Sequence, residues 1–583
     1  MGSRQAREIL ALLGVCWLLG AAGQAEVFIR VNQVGYLPSD PKVAVAFSAI
    51  GLPASFDVID SRDRVVLTGT PRRPLAQRWG SFAAHAELDF SPLATPGTYR
   101  VRAGGVDSVP FTIGHDIYPE AADAMLGFMR AQRCGYNPYL DTVCHRFDGR
   151  TADGPRAAGS FLPSDGGWHD AGDTLKYLIT SSNATAQLLL AYQLAPAMWK
   201  DRTDDLGRPG SNGRPDVLDE ARWGLQWLLK LHPSAGELYH MVGDDRDHSG
   251  WRLPQDDQSD YGWGKGSYRV VYFATGAPQG LGRFKSESTG VANIAGRYAA
   301  AMALAYQIWR NDPRERLFAR QCLQAAREVY ALGRAREGVQ QGNSYSSPYR
   351  YNEKTWADDM EWGAAELYRA TGEQAFLRDA RRYARLIAAT SWMGQETTQH
   401  YEFYPFMNVG HFRLGAGADY YKTGLDASRA VGRGNPYQIG VPFIWCSNNL
   451  VVALATQAAL YERMTGSTAY RAFGVRQRDW LFGTNPWGTS MFTGLGAVTP
   501  GDVHIPAFQI RKDLVAGALV DGPVSESIFS SLKGVTLSRT DAFAAFQSAA
   551  AVYHDDWQDY STNEPTMDGT ASAVLLMALQ RRR

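Results

Sequence analysis

The sequence predicts two folded units of different class, a small β-sandwich followed by a large all-helical domain, and three observations carry that expectation. Its 583 residues exceed what one hydrophobic core usually organises, because cores stop growing at roughly 250–300 residues. From Val27 to about Ile113, short alternating strands are separated by turn residues. After about Tyr118 the apolar positions recur at spacings of three and four, as in Leu218, Ala221, Leu225 and Leu228, which is helical periodicity.

The first element is a targeting segment. Arg4 and Arg7 precede an apolar run from Ile9 to Ala22, and small residues lead to a cleavage point after Ala25. Residues 1–25 therefore read as a signal peptide, and Cys16, preceded by Val15, fits a lipoprotein site poorly. The run is short for a bilayer span and no later stretch is long or apolar enough, so the expectation is a secreted or periplasmic protein with no membrane span.

Strands follow at Val43 to Phe47, Phe56 to Ile59, Val65 to Leu67, and Thr98 to Val101 after Pro96-Gly97, which makes 26–115 a sandwich. Its opening, Arg30-Val31-Asn32-Gln33-Val34-Gly35-Tyr36-Leu37-Pro38, resembles the start of the immunoglobulin-like domain that precedes many bacterial catalytic domains of glycoside hydrolase family 9. Helical faces then recur near 120–133, 174–197, 218–228, 290–310, 314–335, 357–371, 373–391, 445–466, 468–482, 540–552 and 568–579. Paired helices joined by long Gly- and aromatic-rich loops suggest an (α/α)6 barrel over 116–583, which the resemblance implies more strongly than the periodicity does. Functional residues in such a fold sit on loops at one rim.

Composition narrows the function. Lys plus Arg (59) balances Asp plus Glu (59), so the basic footprint of a nucleic-acid binder is missing. Sixteen Trp and 28 Tyr offer flat apolar faces with polar edges, suited to sugar rings, although most aromatics in a large domain simply fill its core.

Three segments carry chemistry. Gly166-Gly167-Trp168-His169-Asp170-Ala171-Gly172-Asp173 places two carboxylates three residues apart in a tight loop at a helix entrance. Alone, Asp173 would read as a helix cap. The surrounding residues are similar to the family 9 pattern G-G-W-(Y/H)-D-A-G-D, and the resemblance implies a base in Asp173 with Asp170 helping to hold the attacking water. Near the C-terminus, Tyr553, Asp555, Tyr560 and Asn563-Glu564 resemble the signature containing the proton-donating Glu, which implies Glu564 as acid. Asp555 is expected to raise the pKa of Glu564 by like-charge repulsion. The family's Asn six residues later is Thr570 here. The third segment, Ser490, Phe492, Thr493, Gly496, Val503 and His504, follows the spacing of the family's P-H-x-R signature but carries Val498 for a polar residue and Pro506 for the Arg. His504 keeps a substrate-binding role by resemblance.

Cys134, Cys144, His145 and His169 form C-x9-C-H with a later His. Export would favour a Cys134–Cys144 disulfide, whereas the adjacent His145 and the resemblance to zinc-binding members favour a closed Cys2His2 zinc site. Calcium occurs in some members, with no ligands assignable here. Cys322 and Cys446 read as buried free thiols.

The implied activity is inverting hydrolysis of β-1,4-glucosidic bonds in cellulose or related β-glucans, endoglucanase-like, by a monomer. One carboxylic acid protonates the leaving oxygen while an opposed carboxylate activates water. Two alternatives stand beside it: an exo-acting β-glucosidase or glucosaminidase on short oligosaccharides, and an inert glycan-binding protein on the same scaffold.

Overall fold

The computed structural model describes residues 26–581 except 77, 249, 267, 348–350, 352, 388–405 and 416; the expected signal peptide lies outside the described residues. The N-terminal part is a sandwich of strands β1 (Phe28–Arg30), β2 (Val43–Ser48), β3 (Phe56–Asp60), β4 (Val65–Gly69), β5 (Ala84–Asp89), β6 (Gly97–Ala103), β7 (Val106–Asp107) and β8 (Phe111–Ile113). One sheet runs β1-β2-β5 and the other β4-β3-β6-β7, with β8 also on β6. Ala44 and Ala46 of β2 face the sandwich core beside Val58, Val101 and Phe111. Val45 and Phe47 face the opposite way and join the core of the helical domain. That double burial explains why Val43–Ser48 lacks polar alternation: the sheet has no solvent face here.

Fourteen helices are seen among the described residues. They are α1 (Tyr118–Ala131), α2 (Leu178–Leu194), α3 (Asp216–Lys230), α4 (Ala292–Trp309), α5 (Arg316–Ala335), α6 (Ala357–Thr371), α7 (Gln374–Ile387), α8 (Phe406–Leu414), α9 (Ala418–Gly432), α10 (Ser447–Thr465), α11 (Arg471–Leu481), α12 (Pro506–Arg511), α13 (Glu526–Ser531) and α14 (Met567–Gln580). Helices α2, α4, α6, α8, α10 and α14 pack into a closed inner ring, and α1, α3, α5, α7, α9 and α11 lie outside it, which is an (α/α)6 barrel. Sequence distinguishes the rings. Inner α2 is buried on nearly every side, whereas outer α3 buries Val217, Leu218, Ala221, Leu225 and Leu228 on one face, as surface helices do. Asp216 and Asp219 in the first turn of α3 and Lys230 in its last match the helix dipole. Gly466 ends α10 in the left-handed region at φ 74°, the usual helix stop.

One expectation needs correction. The span 540–552 is not an α-helix but a single 3-10 turn, Ala544–Phe546. Asp541 captures the Phe543 N–H at 2.7 Å and Gln547 Nε2 donates to the Tyr553 carbonyl at 2.7 Å, so side chains take bonds that a helix would need. A four-stranded sheet, β9 (Arg150–Thr151), β12 (Val270–Phe273), β11 (Tyr239–Val242) and β10 (Lys176–Tyr177) in spatial order, also stands inside the helical domain, its strands too short for periodicity to reveal.

The seam between the two parts is made by the motif at 30–38. Gln33 donates its amide to the Gly488 carbonyl at 2.8 Å and accepts the N–H groups of Ala497 and Val498 at 2.9 and 2.8 Å. Asn32 donates to Asp479 at 2.8 Å, and buried Arg478 pairs with Asp40 at 2.9 Å and Asp479 at 2.7 Å.

Candidate active site

Loops entering the inner helices α2, α10 and α14 converge at one rim. The first is anchored by Trp168, fully buried, whose indole N–H donates to Glu220 at 2.6 Å. Gly167 has φ 72°, and a Cβ there would lie 2.6 Å from the Trp227 ring, so both conformation and space demand glycine. Gly172 is required by proximity alone, because a Cβ would meet the His504 carbonyl at 2.2 Å and Glu564 Oε1 at 2.8 Å. The loop thus touches both C-terminal segments.

Asp170 is buried, with Oδ1 accepting from Thr180 Oγ1 at 2.7 Å and Oδ2 from the Tyr351 hydroxyl. Asp173 Oδ1 accepts the Leu175 N–H at 2.9 Å, and its Oδ2 lies 3.6 Å from His248 Nε2. Burial, then the charge of Asp173, pushes Asp170 up to about 7; burial, then Asp247, does the same for Asp173. Glu564 Oε1 accepts the Gly172 N–H at 2.8 Å. Burial pushes the Glu564 carboxyl well above its ordinary value, followed by the charges of Asp521 and Asp173, against the opposing Gly172 bond. Desolvation and like charge act together here, as they do where a carboxyl is kept protonated for acid catalysis.

The structure brings Asp170, Asp173 and Glu564 together and sets His504 beside them, but it places Asp555 differently from expectation. Asp555 accepts the N–H groups of Gly501 and Asp502 and the Asn563 amide, at 2.9–3.2 Å. It shapes the 501–504 loop, while the carboxylates acting on Glu564 are Asp521, Asp173 and Asp170. The reason is topological. The bridge Val520–Pro565 delivers Asp521 beside Glu564, a neighbour that no local motif announces.

His504 Nδ1 lies 2.6 Å from the Trp557 carbonyl, and burial pushes its pKa down. A neutral imidazole donating from Nδ1 presents Nε2 as an acceptor. Around it, Trp251 meets the His504 ring edge-on at 5.1 Å and Trp557 at 4.7 Å, and Trp445 stacks on Tyr560 at 5.9 Å. Trp251 remains 39% exposed, an open aromatic face next to the carboxyls. Pro506 begins α12, where a proline's missing N–H is harmless.

Cys134, Cys144, His145 and His169 are all buried, and their donor atoms lie within 4.8 Å of one another. Both cysteines are free thiols. The separations are 3.8 Å for Cys134 Sγ to His145 Nδ1, 3.7 Å for Cys144 Sγ to His169 Nε2 and 3.3 Å between the two imidazole nitrogens. A tetrahedron with Zn–S of about 2.3 Å and Zn–N of about 2.0–2.1 Å has edges of roughly 3.3–3.8 Å, so the donor set fits. His145 Nε2 lies 3.4 Å from Asp257, and a carboxylate on the far ring nitrogen is what orients metal-binding histidines. Lys176 Nζ is 3.3 Å from Cys134 Sγ, offsetting thiolate charge. No second cluster of His, Cys, Asp or Glu of this kind occurs among the described residues.

Tyr351, Asp257 and Asp521 are site residues that sequence reasoning missed; each reaches the rim from a distant segment, and none lies in a recognisable pattern.

Comparisons with known proteins agree on the scaffold. Residues 118–577 match glycosyl hydrolase family 9 and residues 24–108 match the cellulase N-terminal ig-like domain. The chain is similar to Endoglucanase C of Cellulomonas fimi, with 29% identity covering 93% of this chain and 50% of that one, so it spans half that relative's length. It is also similar to a xyloglucan-specific endo-beta-1,4-glucanase of Bacteroides ovatus, with 26% identity covering 94% and 92%. Among solved structures, a metagenome-derived family 9 endoglucanase aligns with TM-score 0.74 and 28% identity over 95% of this chain and 99% of the other. A zinc-binding triple mutant of family 9 endoglucanase J30 aligns with TM-score 0.75 and 25% identity over 94% and 99%. With the family match covering most of its length, the chain belongs to glycosyl hydrolase family 9, with an immunoglobulin-like domain ahead of the barrel.

Proposed function

We propose that the protein is an exported, monomeric inverting hydrolase of β-1,4-glucans with endo-type action. The observation that carries this reading is the Glu564 carboxyl hydrogen bonded to Gly172 in the loop that also presents Asp170 and Asp173. Glu564 gives its proton to the leaving glycosidic oxygen. Asp173, ionised, takes a proton from the attacking water, which Asp170 helps to hold while Tyr351 and Thr180 fix the Asp170 carboxyl. Trp251, Trp557 and Tyr560 offer faces for the sugar rings, and His504 an acceptor for a hydroxyl. An inert glycan-binding scaffold would gain nothing from three carboxyls whose ionisation is opposed. Relatives named endoglucanase and xyloglucan-specific glucanase support a β-glucan as substrate.

Cys134, Cys144, His145 and His169 would hold one zinc ion, consistent with the zinc-binding variant of a family relative. When bound, zinc supplies a crosslink only, because four protein ligands leave no open position. His169 directly precedes Asp170, so the site braces the catalytic loop. Product profiling on soluble cellulose derivatives, xyloglucan, mixed-linkage glucan and cello-oligosaccharides tests the proposal. Release of internal fragments with a fast fall in viscosity is expected, and exclusive release of single sugars would overturn the endo assignment.

A further inference from the structure

Glu564 accepts a hydrogen bond from the Gly172 N–H at 2.8 Å, and such a bond favours the ionised carboxylate. A proton donor held this way needs opposing influences: burial is the first, and the residue in place to add a second is Asp521. Its backbone N–H donates to the Glu564 carbonyl at 2.8 Å, next to the Val520–Pro565 bridge, and its own carbonyl accepts from the Asn448 N–H at 2.9 Å. Its side chain is buried, and Oδ1 accepts from the Cys446 thiol at 3.2 Å. Cys446 has φ 54° at the entrance of α10, a left-handed conformation that is unusual for a cysteine.

We propose that Asp521 is a positioning residue for the proton donor: fixed beside Glu564 by the backbone bridge and anchored by the Cys446 thiol, it keeps a proton on the pair so that Glu564 remains an acid. This rests on the reading of Glu564 as the general acid. The groups facing Asp521 are Cys446 from the α10 entrance, Asp568 from α14, Asp170 from the catalytic loop, and Asp559 and Glu564 from the C-terminal segment; the charged ones are all acidic. Asp521 provides the largest charge effect on Glu564. Burial and the neighbouring carboxylates push the Cys446 thiol well up, so it stays protonated as a donor. Two carboxyls that interact across a backbone bridge lose their protons in steps that belong to the pair, and the Cys446 donor favours ionised Asp521, leaving the proton to Glu564.

The test is an infrared titration of the full chain, following the protonated-carboxyl band that Glu564→Gln abolishes, alongside the pH profile of kcat/KM. In Asp521→Asn the Glu564 band should titrate about one pH unit or more lower, as expected on losing a neighbouring charge, and the alkaline limb of activity should move with it. Asp521→Ser provides the same readings should the Asn variant fold poorly. A Glu564 band that titrates unchanged in a folded Asp521 variant overturns the proposal. Wild-type protein without activity on any β-glucan would instead sink the acid assignment, while the infrared titration still reads the pair.

Discussion

The rim of the barrel and the seam with the N-terminal domain solve the burial of charge in opposite ways. At the seam, Arg478 is enclosed between Asp40 and Asp479, and Arg476 meets Glu87 at 2.9 Å, so each of these buried charges has a partner. At the rim, Asp170, Asp173, Asp521 and Glu564 are gathered with like charges, and burial raises all four. The difference teaches which region is arranged for stability and which for proton transfer. A paired charge is costly to unpair, whereas crowded carboxyls are shifted in pKa toward the range where they exchange protons.

The largest effect should come from removing the exchange itself. Glu564→Gln and Asp173→Asn should each lower kcat on an unactivated glucan by about 10²–10⁴-fold or more. Neither should unfold the protein. A carboxyl whose folded pKa is raised contributes stability below its unfolded pKa and loses it as pH rises through the folded value. Gln escapes that loss, so thermal scans of Glu564→Gln should show a melting temperature at least equal to wild type at pH 5 and relatively higher at pH 8. Retained activity on a plain glucan would sink the acid assignment.

The seam should behave in the converse manner. Arg478→Ala leaves Asp40 and Asp479 buried without their cation, and should cost about 3–5 kcal/mol by denaturant unfolding. Turnover per folded molecule well below the melting temperature should stay near wild type. A large fall in kcat with little loss of stability would erase the distinction.

Next in size is the metal site. The purified protein should contain about one zinc per chain, measured by elemental analysis. Stripping it with a strong chelator should lower the melting temperature and, in parallel, activity, since a displacement of about 1 Å in the catalytic loop can cost roughly a hundredfold. A metal-free protein with a Cys134–Cys144 disulfide by mass spectrometry would refute the site.

The smallest effect separates two aspartates. Asp555→Asn should leave the alkaline limb of the pH profile within about 0.2 unit, because Asp555 bonds to the 501–502 backbone. The same change at Asp521 should move that limb.

Legibility in the sequence followed how local each feature is. The loop 166–173 and the segment 553–564 could be read because their residues lie side by side in the chain, and the metal set because three of its ligands fall within twelve positions. Asp521 and Tyr351 could not, since only the closure of the barrel brings them to the rim. The inner helices give weak period signals because α2 is buried all round. The 540–552 stretch misled for a different reason: its apolar residues serve the seam, where Phe546 packs against Phe28 and Phe82, and their spacing reflects that contact.

Since Asp173 must be ionised to act as base, activity should fall as pH drops below about 7, while Glu564 sustains it toward higher pH. The most direct test of the opposed-carboxyl account is the configuration of the first product, followed by proton NMR within minutes of mixing enzyme and cello-oligosaccharide. Single displacement by an Asp173-activated water predicts that the α-anomer appears first and then equilibrates. Initial appearance of the β-anomer would contradict the account.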